Sequence, residues 1–422
     1  MKRLAFVLTF FLIATAVRCM AQTSCADAVQ AALEKEGVHF TDNNSVVLFK
    51  NGQEKFDDLF SAIRHAKESV HLEYFNFRND AVARHLLLIL SEKVREGVKV
   101  RALFDSFGNS SNNKPLKNEH MRAIRERGIE IYEFDPISFP WVNHIWARDH
   151  RKIVVIDGRV AYTGGMNVAD YYINGTEQVG EWRDTHCRIE GGAVNELQRI
   201  FLTTWNKVSG QHLTGTGFYK GGMKMPMEDV KCDTTATRYA KRVGIINREP
   251  HTSNEIMKQF YNSAINNAKR SIRIVSPYFT LNRQLKKSLW EALQRGVRVE
   301  IIISSRFDEP VTPDVVFCVA HKLMQCGAEV YIYKPGFHHS KIMMVDDELC
   351  TVGSTNLDAR SLSYDYEENA VIIDPCTTAE LNRIFDDDKK QCIFLTPEVW
   401  KTYRTPWQKF RGHLYSLLTP FL

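Results

Sequence analysis

The sequence predicts an α/β protein of two similar domains, each a mostly parallel sheet flanked by helices, related by a pseudo-two-fold axis. Three observations lead there. The chain repeats its own pattern once, each copy alternates helical stretches with short β-branched runs, and a glycine-rich stretch separates the copies.

The elements follow in chain order. Residues 4–17 are apolar, stand behind Lys2 and Arg3, and run through Arg18 into Cys19-Met20-Ala21. A basic start, an apolar segment too short to span a bilayer and a small residue at the end describe a secretory leader, so residues 1–21 are expected to be a signal peptide. An uncleaved anchor is the alternative.

The first domain is read over 22–207 and the second over 244–395. In the first, Ala66-Lys67-Glu68-Ser69-Val70 opens a strand. In the second, Ala268-Lys269-Arg270-Ser271-Ile272 does the same. A helical stretch follows each, then Glu96-Gly97-Val98-Lys99-Val100 and Arg295-Gly296-Val297-Arg298-Val299. Next come Arg127-Gly128-Ile129-Glu130-Ile131 and Cys326-Gly327-Ala328-Glu329-Val330. In each pair a glycine ends a helix and a β-branched strand begins, the signature of βαβ units. Glycines 210, 215, 217, 221 and 222 mark residues 208–243 as the inter-domain linker.

Residues 396–422 form a tail. From 400 to 422 it carries Lys401, Arg404, Lys409 and Arg411 and no acidic residue, with Trp400, Tyr403, Trp407, Phe410 and Leu414 at three- and four-residue steps. That pattern fits a basic amphipathic helix lying on an anionic membrane surface, or one docked on the protein itself.

Removal of residues 1–21 would lower the formal net charge from +5 to +2, which argues against a nucleic-acid groove. Nine cysteines are present without a close CxxC pair, so a structural zinc site is not expected. Cys187, Cys318 and Cys350 stand in apolar contexts and read as buried thiols.

Each copy carries one spaced triplet, His150-x-Lys152-x4-Asp157 and His339-x-Lys341-x4-Asp346. The apolar run after each lysine reads as a short buried strand, and alternation puts histidine and lysine on one face. A nucleophilic imidazole beside an ammonium suits a phosphate. The triplets give the candidate catalytic set His150, Lys152, Asp157, His339, Lys341 and Asp346. By parity the two aspartates lie at strand ends, where anchoring a lysine or a turn is expected of them rather than contact with substrate. Ten residues further stand Asn167 and Asn356, the latter beside Ser354. These three are candidate phosphate-binding residues, placed to add donors to an oxyanion hole. Aligning Trp182-Arg183-Asp184-Thr185-His186 with Glu367-Glu368-Asn369-Ala370 pairs Asp184 with Glu368 as the carboxylates that orient the histidines. Ammonium groups at the centre argue against a divalent metal, and no metal or other cofactor is expected.

These residues resemble the phospholipase D superfamily, defined by this triplet in duplicate, and within it most nearly bacterial cardiolipin synthases. Supporting stretches are Tyr162-Thr163-Gly164-Gly165-Met166-Asn167, Ser276-Pro277-Tyr278-Phe279, Val352-Gly353-Ser354-Thr355-Asn356 and the terminal Leu417-Leu418-Thr419-Pro420-Phe421-Leu422. Many members carry amino-terminal membrane spans, where this chain has its expected leader. The resemblance implies a phosphatidyltransferase that condenses two phosphatidylglycerol molecules to cardiolipin and glycerol through a covalent phosphohistidine, with His150 as nucleophile. A secreted phospholipase D releasing phosphatidate and a nuclease are the alternatives. Expected partners are the phospholipid and, through the tail, a membrane surface, with no nucleic acid. Residues 136–146 (PISFPWVNHIW) suit a pocket mouth facing acyl chains or ordinary core packing. The expected location is outside the bacterial cytoplasm, peripheral on the outer face of the cytoplasmic membrane or periplasmic.

Overall fold

The computed structural model describes residues 24–136, 146–222 and 240–421. The leader (1–21), most of the aromatic stretch 136–146 and much of the linker therefore lie outside the described residues.

Each half begins its βαβ run where the repeat places it. In the first half, strands Ser69–Tyr74, Lys99–Asp105 and Glu130–Phe134 pair in parallel, with helices Ala81–Arg95 and Asn118–Glu126 between them. In the second, Ser271–Val275, Arg298–Ser304 and Glu329–Tyr333 do the same around helices Arg283–Gln294 and Thr312–Gln325. Local chemistry sets the helix limits. Asp80 accepts from Ala83 N and Asn282 from Leu285 N at the N-caps. At the exits, Gly97, Gly128, Gly296 and Gly327 adopt positive φ of 82–102°, the left-handed turn that a side chain resists.

Parallel pairing stops at these three strands in each half, so the sheet is mixed. Strand Lys152–Ile156 runs antiparallel to Ser69–Tyr74 and forms a tight hairpin with Val160–Gly164; Ile342–Val345 and Leu349–Gly353 repeat this beside Ser271–Val275. A short hairpin connection can only join antiparallel strands. Every residue of Lys152–Ile156 and Ile342–Val345 is buried, as befits central strands covered on both faces. Strand Phe40–Phe49 of the first half then pairs with Lys241–Arg248 of the second, which makes one continuous 15-stranded sheet. A small parallel ribbon, Glu181–Arg183 with Gly336–His338, also crosses between halves.

The halves exchange equivalent contacts. His150 N–H donates to Tyr366 O (3.0 Å), and His339 N–H donates to Arg183 O (2.6 Å). Reciprocal contacts of matching residues are what a two-fold relation requires. Helices Val194–Ser209 and Pro375–Lys389 pack on one core, through Leu197, Ile200, Leu381 and Phe385. The other helices cover a larger one that includes Leu72, Leu86, Ile274 and Leu289. Cys187, Cys318 and Cys350 are buried free thiols.

The tail forms two helices, Pro397–Tyr403 and Pro406–Tyr415. Pro406 disfavours helical geometry at the residue before it, and Thr405 becomes the cap of the second helix. Half of the amphipathic pattern faces inward. Trp400 stacks on His321 at 4.1 Å, Tyr403 packs on Phe317 at 5.5 Å, and Arg404 and Arg411 both pair with buried Asp314. Trp407, Phe410, Leu414 and Leu417 are exposed, at 63%, 56%, 49% and 75%. Among the described residues, no helix is long and apolar enough to cross a membrane.

Candidate active site

Both triplets deliver their histidines to one cavity of about 940 Å³, which His150, His339, Asn167 and Asn356 help to line. Strand alternation places each lysine under its own histidine. Lys341 Nζ donates to His339 O (2.6 Å) and lies 2.9 Å from both ring nitrogens, while Lys152 Nζ donates to His150 O. Both ammonium groups are buried beneath the imidazoles rather than on the cavity wall.

Each imidazole is held by a carboxylate from the other half. His339 Nδ1 lies 2.7 Å from Asp184 Oδ2, and His150 Nδ1 lies 2.9 Å from Glu367 Oε1. Asp184 therefore occupies the orienting position expected of it, but Glu368 does not. Glu368 accepts from Thr163 Oγ1 (2.6 Å) and Lys152 N (3.3 Å), on the opposite face of its strand from Glu367. The alignment was one residue out of register because two glutamates are adjacent. Matching the apolar pair Cys187 and Ile189 with Ala370 and Ile372 sets Asp184 opposite Glu367, and this was the signal in the sequence that could have found it.

The glycines before the asparagines let these strands approach. A Cβ at Gly165 would sit 2.2 Å from Asp184 Oδ1. Its counterpart, Ser354, fills the equivalent space with a hydroxyl that donates to Glu367 Oε2 and accepts from Glu368 N (3.0 Å). Ser354 is fully buried behind the carboxylate, so its expected phosphate contact is replaced by support of Glu367. Asn167 lines the cavity with its amide partly used: Oδ1 accepts from Asn76 N and Nδ2 donates to Tyr172 OH, each at 3.1 Å. Asn356 Oδ1 is buried without a hydrogen-bond partner in the cavity wall.

Asp157 and Asp346 do not reach the cavity, which corrects their place in the catalytic set and bears out the turn reading from strand parity. Asp157 accepts from the backbone N–H groups of Lys67, Glu68 and Ser69 at 2.7–2.9 Å. Asp346 does the same with Lys269, Arg270 and Ser271 at 2.7–2.9 Å. Both sit at positive φ (52° and 55°), a conformation that aspartate tolerates better than most residues. Each pins the hairpin after the triplet to the start of the first parallel strand.

The electrostatics suit an anion. Burial, then Lys152, Lys341 and Arg360, hold His150 well below the usual imidazole range. Burial and Lys341 push His339 down to about 3. Burial lowers Lys152, and brings Lys341 down to about 7, while it raises Glu367 to about 7. A neutral imidazole whose Nδ1–H faces a carboxylate keeps its Nε2 lone pair for chemistry. A phosphodiester entering this field relieves the mutual repulsion of the lysines and stabilises protonated histidine. The arrangement supplies a nucleophile, a proton carrier and preorganised positive charge, the elements of phosphoryl-group transfer.

Two α/β halves with duplicated His-x-Lys segments meeting at one cavity define a protein of the phospholipase D class. The solved structure of phosphatidylserine synthase from Haemophilus influenzae Rd KW20 shares the fold over 93% of this chain and 100% of its own, with a TM-score of 0.70 and 16% identity. The family described as "Cardiolipin synthase, PLD-like domain" matches residues 59–205 and 261–389, and the chain belongs to it. The cardiolipin synthase of Staphylococcus aureus (strain Mu50 / ATCC 700699) is 35% identical over 398 residues, covering 94% of this chain and 77% of that protein. The cardiolipin synthase of Listeria monocytogenes serotype 4a (strain HCC23) is 32% identical over 400 residues, covering 94% and 79%. The chain is thus an enzyme of the phospholipase D superfamily, of the phosphatidyltransferase kind.

Proposed function

We propose that this enzyme transfers a phosphatidyl group from one phosphatidylglycerol to another, giving cardiolipin and glycerol through a phosphohistidine. The observation that carries the reading is the reciprocal arrangement in which each histidine faces a shared cavity and is oriented by a carboxylate from the opposite half. The 32–35% identity to cardiolipin synthases supports the choice of lipid.

In the first step Nε2 of one histidine attacks phosphorus, a P–N bond forms, and the P–O bond to the glycerol headgroup breaks. The partner histidine gives its proton to the departing alkoxide. In the second, that histidine takes the proton of the acceptor's hydroxyl, whose oxygen attacks phosphorus as the P–N bond breaks. His150 is assigned as nucleophile and His339 as proton carrier. Lys152 and Lys341 stabilise the five-coordinate phosphorus through the field they impose from beneath, and Asn167 and Asn356 line the cavity around it.

The exposed Trp407, Phe410, Leu414 and Leu417 support docking on a lipid surface. Their helices pack against Thr312–Gln325, whose first residue, Thr312, lines the cavity. Export with peripheral attachment to the outer face of the cytoplasmic membrane rests on the leader-like residues 1–21.

The test is product analysis by mass after incubating the purified protein with phosphatidylglycerol vesicles. Cardiolipin with equimolar glycerol is expected. Phosphatidate as the main product would instead make it a hydrolytic phospholipase D, and an unchanged lipid pool would remove both readings.

A further inference from the structure

The condensation reading poses a problem that the two triplets do not solve. The acceptor lipid keeps its own phosphate, a second negative charge separated by three carbons from the hydroxyl that attacks. That charge must enter a cavity whose wall also carries Asp308 and Glu309. Burying it without a cation is unfavourable.

Among the described residues, two arginines outside the triplets line the cavity, Arg78 and Arg360. Arg360 sits on the His150 side, where its charge acts on that imidazole; it pairs with Asp365 at 2.7 Å and stacks over Phe107 at 5.2 Å. Arg78 lies further along the wall, bonded through Asn113 to the segment that also carries Phe107. Its guanidinium lies 5.2 Å over the Tyr171 ring, Tyr171 packs 4.2 Å from Trp182, and Trp182 lies 5.4 Å from His339.

The surroundings of Arg78 favour an oxyanion with hydroxyl groups nearby. Its Nη2 donates to Asn113 Oδ1 (2.5 Å). Its Nε is buried with no hydrogen-bond partner and forms a long ion pair with buried Asp80 at 3.7 Å, which leaves the cavity-facing edge of the guanidinium for a ligand. Asn112 is committed to its own loop, its Nδ2 donating to Asn109 O (2.6 Å) and Asn76 Oδ1 (3.1 Å) and its Oδ1 accepting from Lys114 N (2.7 Å), so it fixes the wall beside Asn113. The side chain is only 12% exposed, so its charge is weakly screened.

Resting on the condensation reading, we propose that Arg78, with Asn113 beside it, receives the phosphate that the acceptor lipid retains, and so selects an anionic glycerophospholipid over water or a neutral alcohol as acceptor.

The test compares two transfers from one donor, using phosphatidylglycerol vesicles with isotopically labelled free glycerol. Cardiolipin reports the anionic acceptor, and label exchanged into phosphatidylglycerol reports the neutral one. For Arg78→Ala the ratio of cardiolipin to exchange product is expected to fall about tenfold or more, the loss of a charge-assisted contact, with partial recovery in Arg78→Lys. A ratio unchanged from wild type overturns the assignment, and if Arg78→Ala turns over too little lipid to give a ratio, an unchanged ratio in Arg78→Lys overturns it. The wild-type reaction separates the two levels: exchange without cardiolipin in the unaltered enzyme overturns the condensation reading itself, and the acceptor site with it.

Discussion

Glu367 and Glu368 are adjacent, both buried and both raised to about 7, yet their contacts differ in kind. Glu367 holds an imidazole and Glu368 holds a strand neighbour. Glu367→Gln removes the anion that fixes the tautomer of His150, and kcat is expected to fall about 10²–10⁴-fold. Glu368→Gln keeps an acceptor for Thr163 and Lys152 N and should cost far less. Steady-state kinetics on both variants decide this, and equal losses would mean that the orienting role is misplaced. The imidazole electrostatics add a pH dependence with a definite sign. Both imidazoles are held below their ordinary value of 6.5, and an anionic ligand raises them. Protons are therefore taken up on binding between the free and bound values, and affinity for a phosphodiester analogue weakens as pH rises through the bound value. Calorimetry in two buffers of different ionisation enthalpy should show net uptake near neutrality; proton release would contradict it.

The elements that fix the site were legible to different depths. The βαβ runs, their glycine exits and the strands after the histidines could be read because each rests on a local signal: apolar alternation, a left-handed glycine, a repeat. Asp157 shows where local reading stops. Its spacing from His150 is part of the triplet, but its partners are the amides of Lys67, Glu68 and Ser69, about 90 residues earlier. Asp157→Ala is expected to lower stability by about 1–3 kcal/mol, through lost charge-assisted bonds and strain at positive φ, with kcat of the folded fraction nearly unchanged. Chemical denaturation and active-site titration separate the two effects. The tail pattern allowed either an interfacial or a docked helix, and both hold in part: Asp314 and Phe317 claim Tyr403, Arg404 and Arg411, while the partners that draw them inward are distant in the sequence. The remaining exposed face makes its own prediction. Trp407→Ser with Phe410→Ser should weaken sedimentation with anionic vesicles about tenfold or more, while turnover of a soluble short-chain lipid stays near wild type. Unaltered vesicle binding would place the membrane contact elsewhere.

Across the whole molecule, duplication was visible in the sequence, but the exchange between copies was not. The repeats supply one histidine each to a joint reaction; only packing shows that each is oriented by the other copy's carboxylate. The edge pairing of Phe40–Phe49 with Lys241–Arg248 and the crossing ribbon lock the copies in register, so each imidazole meets the other half's carboxylate. The site is thereby complete within one chain. Mixing full-length His150→Ala with His339→Ala should not restore activity, whereas substantial recovery would show a site shared between chains. The central claim, a covalent intermediate on one histidine released by the other, is met most directly by intact-protein and peptide mass measurement on His339→Ala after incubation with phosphatidylglycerol. A phosphatidyl adduct on the peptide containing His150 is the predicted result, forming slowly without its proton donor and persisting because no base activates the acceptor hydroxyl. Full turnover by that variant with no adduct, or an adduct on a peptide lacking His150, would contradict the account.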